Sequence, residues 1–217
     1  WTSYTSGTTI PATSTNGWYY FRAYDNAGNV SAESSVCLDT AVPTGTVYKE
    51  TTSVSSGSSV KGAYIKFVAT DSLSGVANCY VKAPGETSYK SYTSNSPLTT
   101  EGVYQFYIVD RAGNQSSTYS IALDNTAPTG MVYGGTTEKP SGSIVNSSYI
   151  KFIGSDNASG VSAMYVKKPG SSSFISYTSG TQFTADGKYE FYCVDGAGNQ
   201  SQTYNITLDR TKPVGTV

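Results

Sequence analysis

The pentapeptide Asp-x-Ala-Gly-Asn occurs three times, starting at Asp25, Asp110 and Asp195, so its copies lie 85 residues apart. A second marker, Leu-Asp-x-x-x-Pro, keeps the same spacing. It places Asp39, Asp124 and Asp209, with Pro43, Pro128 and Pro213 four residues later. Residues 41–125 and 126–210 align without a gap and share roughly half their positions. Self-similarity at a fixed period marks a repeated structural unit. The chain therefore divides into the C-terminal half of a repeat (1–40), two complete repeats (41–125 and 126–210) and the start of a further one (211–217). Ser-Tyr-Thr-Ser at Ser3, Ser91 and Ser176 places Trp1 in mid-repeat. Half a sandwich exposes an apolar sheet face to water. Residues 1–40 are thus expected to be completed by further chain or by a neighbour, within a longer array.

Composition narrows what such a repeat can be. Of 217 residues, 33 are Ser, 28 Thr and 19 Tyr, and only 13% are charged. Fourteen basic residues against fifteen acidic ones leave a net charge of -1, without the basic footprint of a nucleic-acid binder. No apolar run reaches the roughly 20 residues of a membrane helix, so no membrane insertion is expected. The absence of histidine excludes Ser-His-Asp and Cys-His catalysis and imidazole metal ligands. The aromatic content, 13%, argues against disorder. Tyr, Val, Ile and Thr favour strands, and an all-β chain is expected.

Within one repeat, strand-like runs fall at 45–48, 64–70, 76–82, 88–93, 97–100, 103–109 and 118–123. About seven short strands in 85 residues predict a two-sheet Greek-key β-sandwich. Alternation assigns the faces. Tyr104, Phe106 and Ile108 should face the core, and Val103, Gln105 and Tyr107 the solvent. The substitutions in the next repeat, Lys188 and Glu190, fall on the outer set. Ile65, Phe67, Cys79, Val81, Tyr119, Ile121 and Leu123 should likewise be inward, and Lys66, Tyr80 and Lys82 outward. Cys37, Cys79 and Cys193 occupy three different repeat positions, one per repeat. They do not form a disulfide framework within repeats. Cys79 and Cys193 read as core residues, and Cys37 falls on the outward set.

Asp-x-Ala-Gly-Asn-x-Ser followed by Leu-Asp-x-x-x-Pro resembles the bacterial immunoglobulin-like repeats of cell-surface adhesins. So does Asp-x-x-Ser-Gly-Val at Asp71–Val76 and Asp156–Val161. Asp39-Thr-Ala-Val-Pro departs from the usual Asp-x-Thr-x-Pro, which Thr126 and Thr211 retain. The resemblance implies tandem immunoglobulin-like sandwiches arranged end to end, outside the cell. It implies a non-catalytic stalk of an adhesin, secreted or wall-anchored through other parts. Adjacent repeats of the same chain would be its first partners. Two other roles follow from the same fold: a module binding a host or surface glycan or protein, and a component of an extracellular filament or phage fibre contacting neighbouring chains.

In that topology, Asp71 and Asp110 lie on loops at one pole, and Asp39 enters from the preceding repeat. Asp124 should approach Asp156 and Asp195 in the same way. Three carboxylates with carbonyl oxygens at a joint would suit Ca2+, which takes 6–8 oxygen ligands. The resemblance points the same way, since some such repeats carry calcium at their joints. The other reading of these residues is a set of Asx turns next to a stiff Pro linker. A Lys–Asn isopeptide bond would need a buried Lys, whereas Lys66 and Lys151 point outward. The outward Tyr20, Tyr24, Tyr107 and Tyr192 read either as strand formers on a solvent face or as contact surface. Six Asn-x-Ser/Thr sequons, at Asn29, Asn114, Asn146, Asn157, Asn199 and Asn205, include the three turn asparagines. No catalytic constellation stands out, because every polar group recurs with the repeat.

Overall fold

The computed structural model describes residues 1–215, and every regular element among them is a strand. The chain forms two compact units. One comprises Trp1–Ser56, Lys66–Leu98 and Tyr104–Ser120; the other comprises Gly57–Ile65, Thr99–Val103 and Ile121 onward.

The first unit opens with β1 (Gly17–Phe21) and β2 (Ser34–Leu38), which pair antiparallel as a two-stranded sheet. Trp18, Tyr20 and Val36 on this sheet are each half exposed. Cys37, expected on the outward set, is half-buried opposite Trp18. Residues 41–125 supply β3 (Thr44–Lys49), β4 (Thr52–Val54), β5 (Ser58–Val60), β6 (Ile65–Thr70), β7 (Val76–Lys82), β8 (Lys90–Ser91), β9 (Gly102–Asp110) and β10 (Tyr119–Leu123). They form a three-stranded sheet, β4-β3-β6, and a five-stranded sheet, β5-β10-β9-β7-β8.

The copy at 126–210 reproduces this order with β11 (Thr129–Gly134), β12 (Thr137–Lys139), β13 (Ser143–Val145), β14 (Ile150–Ser155), β15 (Val161–Lys167), β16 (Ile175–Ser176), β17 (Gly187–Asp195) and β18 (Tyr204–Leu208). Its sheets are β12-β11-β14 and β13-β18-β17-β15-β16. Their inner faces meet in one core built on Phe152, Phe191, Ile206 and Leu208, all with no exposed surface. Phe152 stacks on Phe191 at 5.1 Å and tilts against Tyr204 at 5.5 Å. The chain is thus all-β, with a sandwich of two sheets in each complete copy.

Alternation places residues as the pattern predicts. Tyr104, Phe106 and Ile108 are buried on β9, and Tyr189, Phe191 and Cys193 on β17. Eight strands, not seven, form in each complete copy. The two extra ones, β4 and β5 in the first complete copy, have three residues each and are rich in Ser and Thr. So short a run cannot show a period. β5 pairs parallel with β10, Ser58 to Ile121, and β13 repeats this with β18. The weak run at 97–100 shortens to a single bridge at Leu98, and its counterpart Phe183 pairs with Ile150.

The Ser-Tyr-Thr-Ser motif acquires a role in the core. Tyr177 is buried, accepts the Phe152 N–H at 2.9 Å and donates to the Thr181 carbonyl at 2.9 Å. Tyr92 does the same with Phe67 and Ser96. Burial pushes both phenols up in pKa. The tyrosine therefore ties β14, or β6, to the loop after the short strand.

All three cysteines are free thiols. Burial pushes Cys79 up to about 11 and also raises Cys193. Cys37 is raised by desolvation and then by the Asp39, Asp71 and Asp110 carboxylates. The thiolate is the reactive species. Native protein at pH 8 is therefore expected to react slowly with a thiol reagent, Cys37 first. Cys79 and Cys193 should react only after denaturation, as read by mass spectrometry. Rapid native labelling of either buried thiol would contradict this packing.

Candidate functional site

The Asp-x-Ala-Gly-Asn-x-Ser loop builds itself by hydrogen bonds from its Asn and Ser that recur in each copy. Asp195 Oδ1 accepts the N–H groups of Ala197 (2.9 Å) and Asn199 (2.8 Å). Its Oδ2 accepts the Asn199 side-chain amide at 2.8 Å. Gly198 takes φ +86°, where a side chain would be strained. Ser201 ends the motif: its hydroxyl accepts the Cys193 N–H at 3.0 Å and donates to the Gln202 carbonyl at 2.8 Å. Asp110, Asn114 and Ser116 repeat these bonds, as do Asp25, Asn29 and Ser31. Asx-type turns account for the spacing.

The Asp-x-x-Ser-Gly-Val loop has the same logic. Asp71 Oδ1 accepts from the N–H groups of Leu73 (3.2 Å) and Gly75 (2.7 Å). Asp156 Oδ2 accepts from Ala158, Ser159 and Gly160. Each motif leads into a strand with a register shift against its neighbour, between Val76 and Asn78 and between Val161 and Ala163.

The third carboxylate comes from the connector after β2 or β10. Asp39 Oδ1 accepts the Ala41 N–H at 2.9 Å, and Oδ2 accepts the Ser74 N–H at 3.1 Å. Asn114 closes the set by donating to the Asp39 carbonyl at 3.0 Å. Hydrogen bonding from Ser74, opposed by burial and helped by the Ala41 N–H, holds the Asp39 carboxyl below its ordinary value. In the second set Asp124 accepts from Thr126 N–H (3.0 Å), Ser159 N–H (3.1 Å) and the Ser159 hydroxyl. Asn199 donates to the Asp124 carbonyl at 3.0 Å.

The structure therefore brings the six aspartates together as two triads, Asp39–Asp71–Asp110 and Asp124–Asp156–Asp195. In each, one oxygen per residue lies within 4.8 Å of the others. Asp39, Asp110, Asp124 and Asp195 are buried, at 6%, 2%, 0% and 1% exposure; Asp71 and Asp156 are half-buried. Two oxygens bound to one Ca2+ can be separated by about 4.6–5.2 Å at most, given Ca–O distances of about 2.3–2.6 Å. The oxygen spacing fits such an ion. Asp71 Oδ2 and Asp156 Oδ1 take no hydrogen bond from the described residues, while the other oxygens hold the turns.

The two copies differ beside these loops. A methyl group at Gly75 would lie 3.8 Å from Arg111 Nη1, so a guanidinium flanks the Gly75 turn. The equivalent residue in the second is Gly196, where a methyl group would meet the Ser159 carbonyl oxygen at 2.7 Å. Asp110 keeps both oxygens in its own turn, where Asn114 donates to each of them.

The outward aromatics form their own clusters. Tyr80 stacks on Tyr107 across β7 and β9 at 4.7 Å, and Tyr89 meets Tyr107 edge-on at 4.8 Å. Tyr165, Tyr192 and Phe174 repeat the arrangement. Tyr20 and Tyr24 stay exposed, with Arg22 over the Tyr24 ring at 5.4 Å. The Lys66 and Lys151 ammonium groups lie over Tyr48 and Tyr133 at 5.5 and 5.1 Å.

Residues 32–125, spanning two of these loop motifs and both sheets of one copy, match the family model of the bacterial Ig-like domain. Over these residues the chain is similar to a bacterial Ig-like domain. The match starts nine residues ahead of the repeat boundary at 41, and so includes β2 and Asp39. No curated protein matches the chain. Among solved structures it is similar to the fibronectin(III)-like modules of Clostridium thermocellum CbhA. That similarity has 16% identity and a TM-score of 0.31, and covers 75% of this chain and 92% of that one. Bacterial Ig-like domains are typically extracellular and generally non-catalytic modules.

Proposed function

We propose that this chain is a non-catalytic spacer segment of a repetitive bacterial surface adhesin, holding a binding tip away from the cell. One observation carries the reading. In each aspartate triad, the connector after a copy's last strand is hydrogen-bonded to two loops of the following copy, and the arrangement recurs after 85 residues. A connector tied to two loops of the next copy resists bending, which a spacer needs and a flexible tether lacks. The oxygen spacing supports Ca2+ as a further stiffener at the same triads. The recurring tyrosine clusters favour a second reading, a module that binds glycans or proteins through its outer sheet face.

Solution scattering with a glycan array separates these readings. The spacer predicts a monomeric, extended particle of constant dimensions with no glycan bound. Saturable glycan binding would move the assignment to the module. Concentration-dependent growth would move it to a filament component. Melting in excess Ca2+ should exceed melting in EDTA by several degrees. Identical curves would leave the triads as hydrogen-bonded joints alone.

A further inference from the structure

We infer that Asn16 is a site of spontaneous deamidation, the chain's built-in site of covalent change. Of eleven asparagines, Asn16 alone precedes glycine. Its side chain is exposed, and nothing lies within 4 Å of where a Gly17 Cβ would be. The Gly17 nitrogen thus approaches Asn16 Cγ without a flanking side chain. The Thr40 hydroxyl donates to Asn16 Oδ1 at 3.0 Å, which polarises the amide carbonyl toward attack. The Gly17 nitrogen bonds to Asn16 Cγ and the side-chain nitrogen leaves as ammonia, carrying the displaced proton. Water then opens the five-membered imide at either carbonyl, giving aspartate or isoaspartate. The net change is Asn plus water to Asp plus ammonia.

The repeat shows why this position is exposed to the reaction and the others are protected. The same place holds Glu101–Gly102 and Asp186–Gly187 in the later copies. Gly102 and Gly187 take φ of +126° and +134°, and a methyl group at Gly187 would strike Pro169 at 2.6 Å. The positive φ favours glycine at this place in both later copies, but only at Gly17 is the space beside the glycine shown to be open. Glu101 carries one more methylene, so its cyclisation needs a larger, slower-forming ring. Asp186 is held as a carboxylate by Arg210 Nε at 2.7 Å, and a carboxylate resists nucleophilic attack. Asn29, Asn114 and Asn199 precede Val or Gln, and their amides are held by Asp25, Asp110 and Asp195.

Deamidation would give the first copy the acid its two successors already have. Thr40 would then face an acid much as the Thr126 hydroxyl faces Glu101 at 2.6 Å. The isoaspartyl product adds a backbone atom directly before β1, where Gly17 pairs with Leu38.

The full chain is incubated in mildly alkaline buffer and followed by peptide mapping with isoaspartate detection. A one-dalton gain should accumulate at Asn16, as aspartate and isoaspartate. It should do so an order of magnitude faster than at any other asparagine. Asn16→Gln should abolish this early gain, and Gly17→Ala should slow it by a similar factor. Because Gly17→Ala also perturbs the strand start, the Asn16→Gln map serves as the folding-neutral comparison. Gain spread evenly over the asparagines, or none at Asn16 while others convert, overturns the assignment.

Discussion

Gly130→Val is expected to destabilise the copy at 126–210 by about 3 kcal/mol, more than an ordinary surface substitution. Gly130 sits in β11 with no side chain because the Phe152 ring fills that space. A Cβ there would lie 2.2 Å from Phe152 Cζ and 3.2 Å from Tyr204 Cε2. Neither ring can retreat easily. Phe152 is fully buried and stacked on Phe191, and protein cores are close-packed. Gly45 makes the same contact in the preceding copy, where a Cβ would meet Phe67 Cζ at 2.1 Å. The urea midpoint of the full chain measures the effect. In a Phe152→Leu background the added cost of Gly130→Val should shrink, because the smaller side chain leaves room. An unchanged cost in that background would show that the ring is not what excludes the side chain.

Asp195→Ala should cost on the order of 2–4 kcal/mol, because three donors lose their acceptor at once. The Ala197 and Asn199 N–H groups and the Asn199 amide all point at this carboxylate. The loss also frees Asn199, which anchors the Asp124 carbonyl. The damage should therefore spread to the connector. Hydrogen exchange of the Asp124–Thr126 amides should accelerate along with that of the loop. Asp195→Asn keeps one acceptor oxygen and should recover part of the loss. Local exchange confined to residues 195–199 would falsify the view that the three aspartates act as one joint. With Ca2+ present, the same variant also tests the ion. A cation held by the triad should lose its effect on melting in Asp195→Ala.

Much of this was readable from periodicities. Burial on β9 and β17 follows a strict alternation, because a strand's side chains switch faces at every residue. The aspartates were legible as loop residues from their 85-residue recurrence, and topology brought three of them to one pole. The role of Tyr177 was not legible. Nothing in Ser-Tyr-Thr-Ser says that the hydroxyl will meet the Phe152 backbone, 25 residues earlier. The terminal Ser of the loop motif was equally silent. Ser201 matters because it satisfies the Cys193 N–H, eight residues back across a turn.

By itself the sequence determined the repeat, the all-β class, the inward and outward faces and the residues of the turns. These rest on local geometry, which spacing along the chain records directly. Tertiary structure alone decided the parallel pairing of β5 with β10 and of β13 with β18, the glycine gaps that receive Phe67 and Phe152, and which oxygens of each triad hold turns and which stay free. Each depends on atoms distant in sequence meeting at contact distance, and no local pattern encodes that meeting.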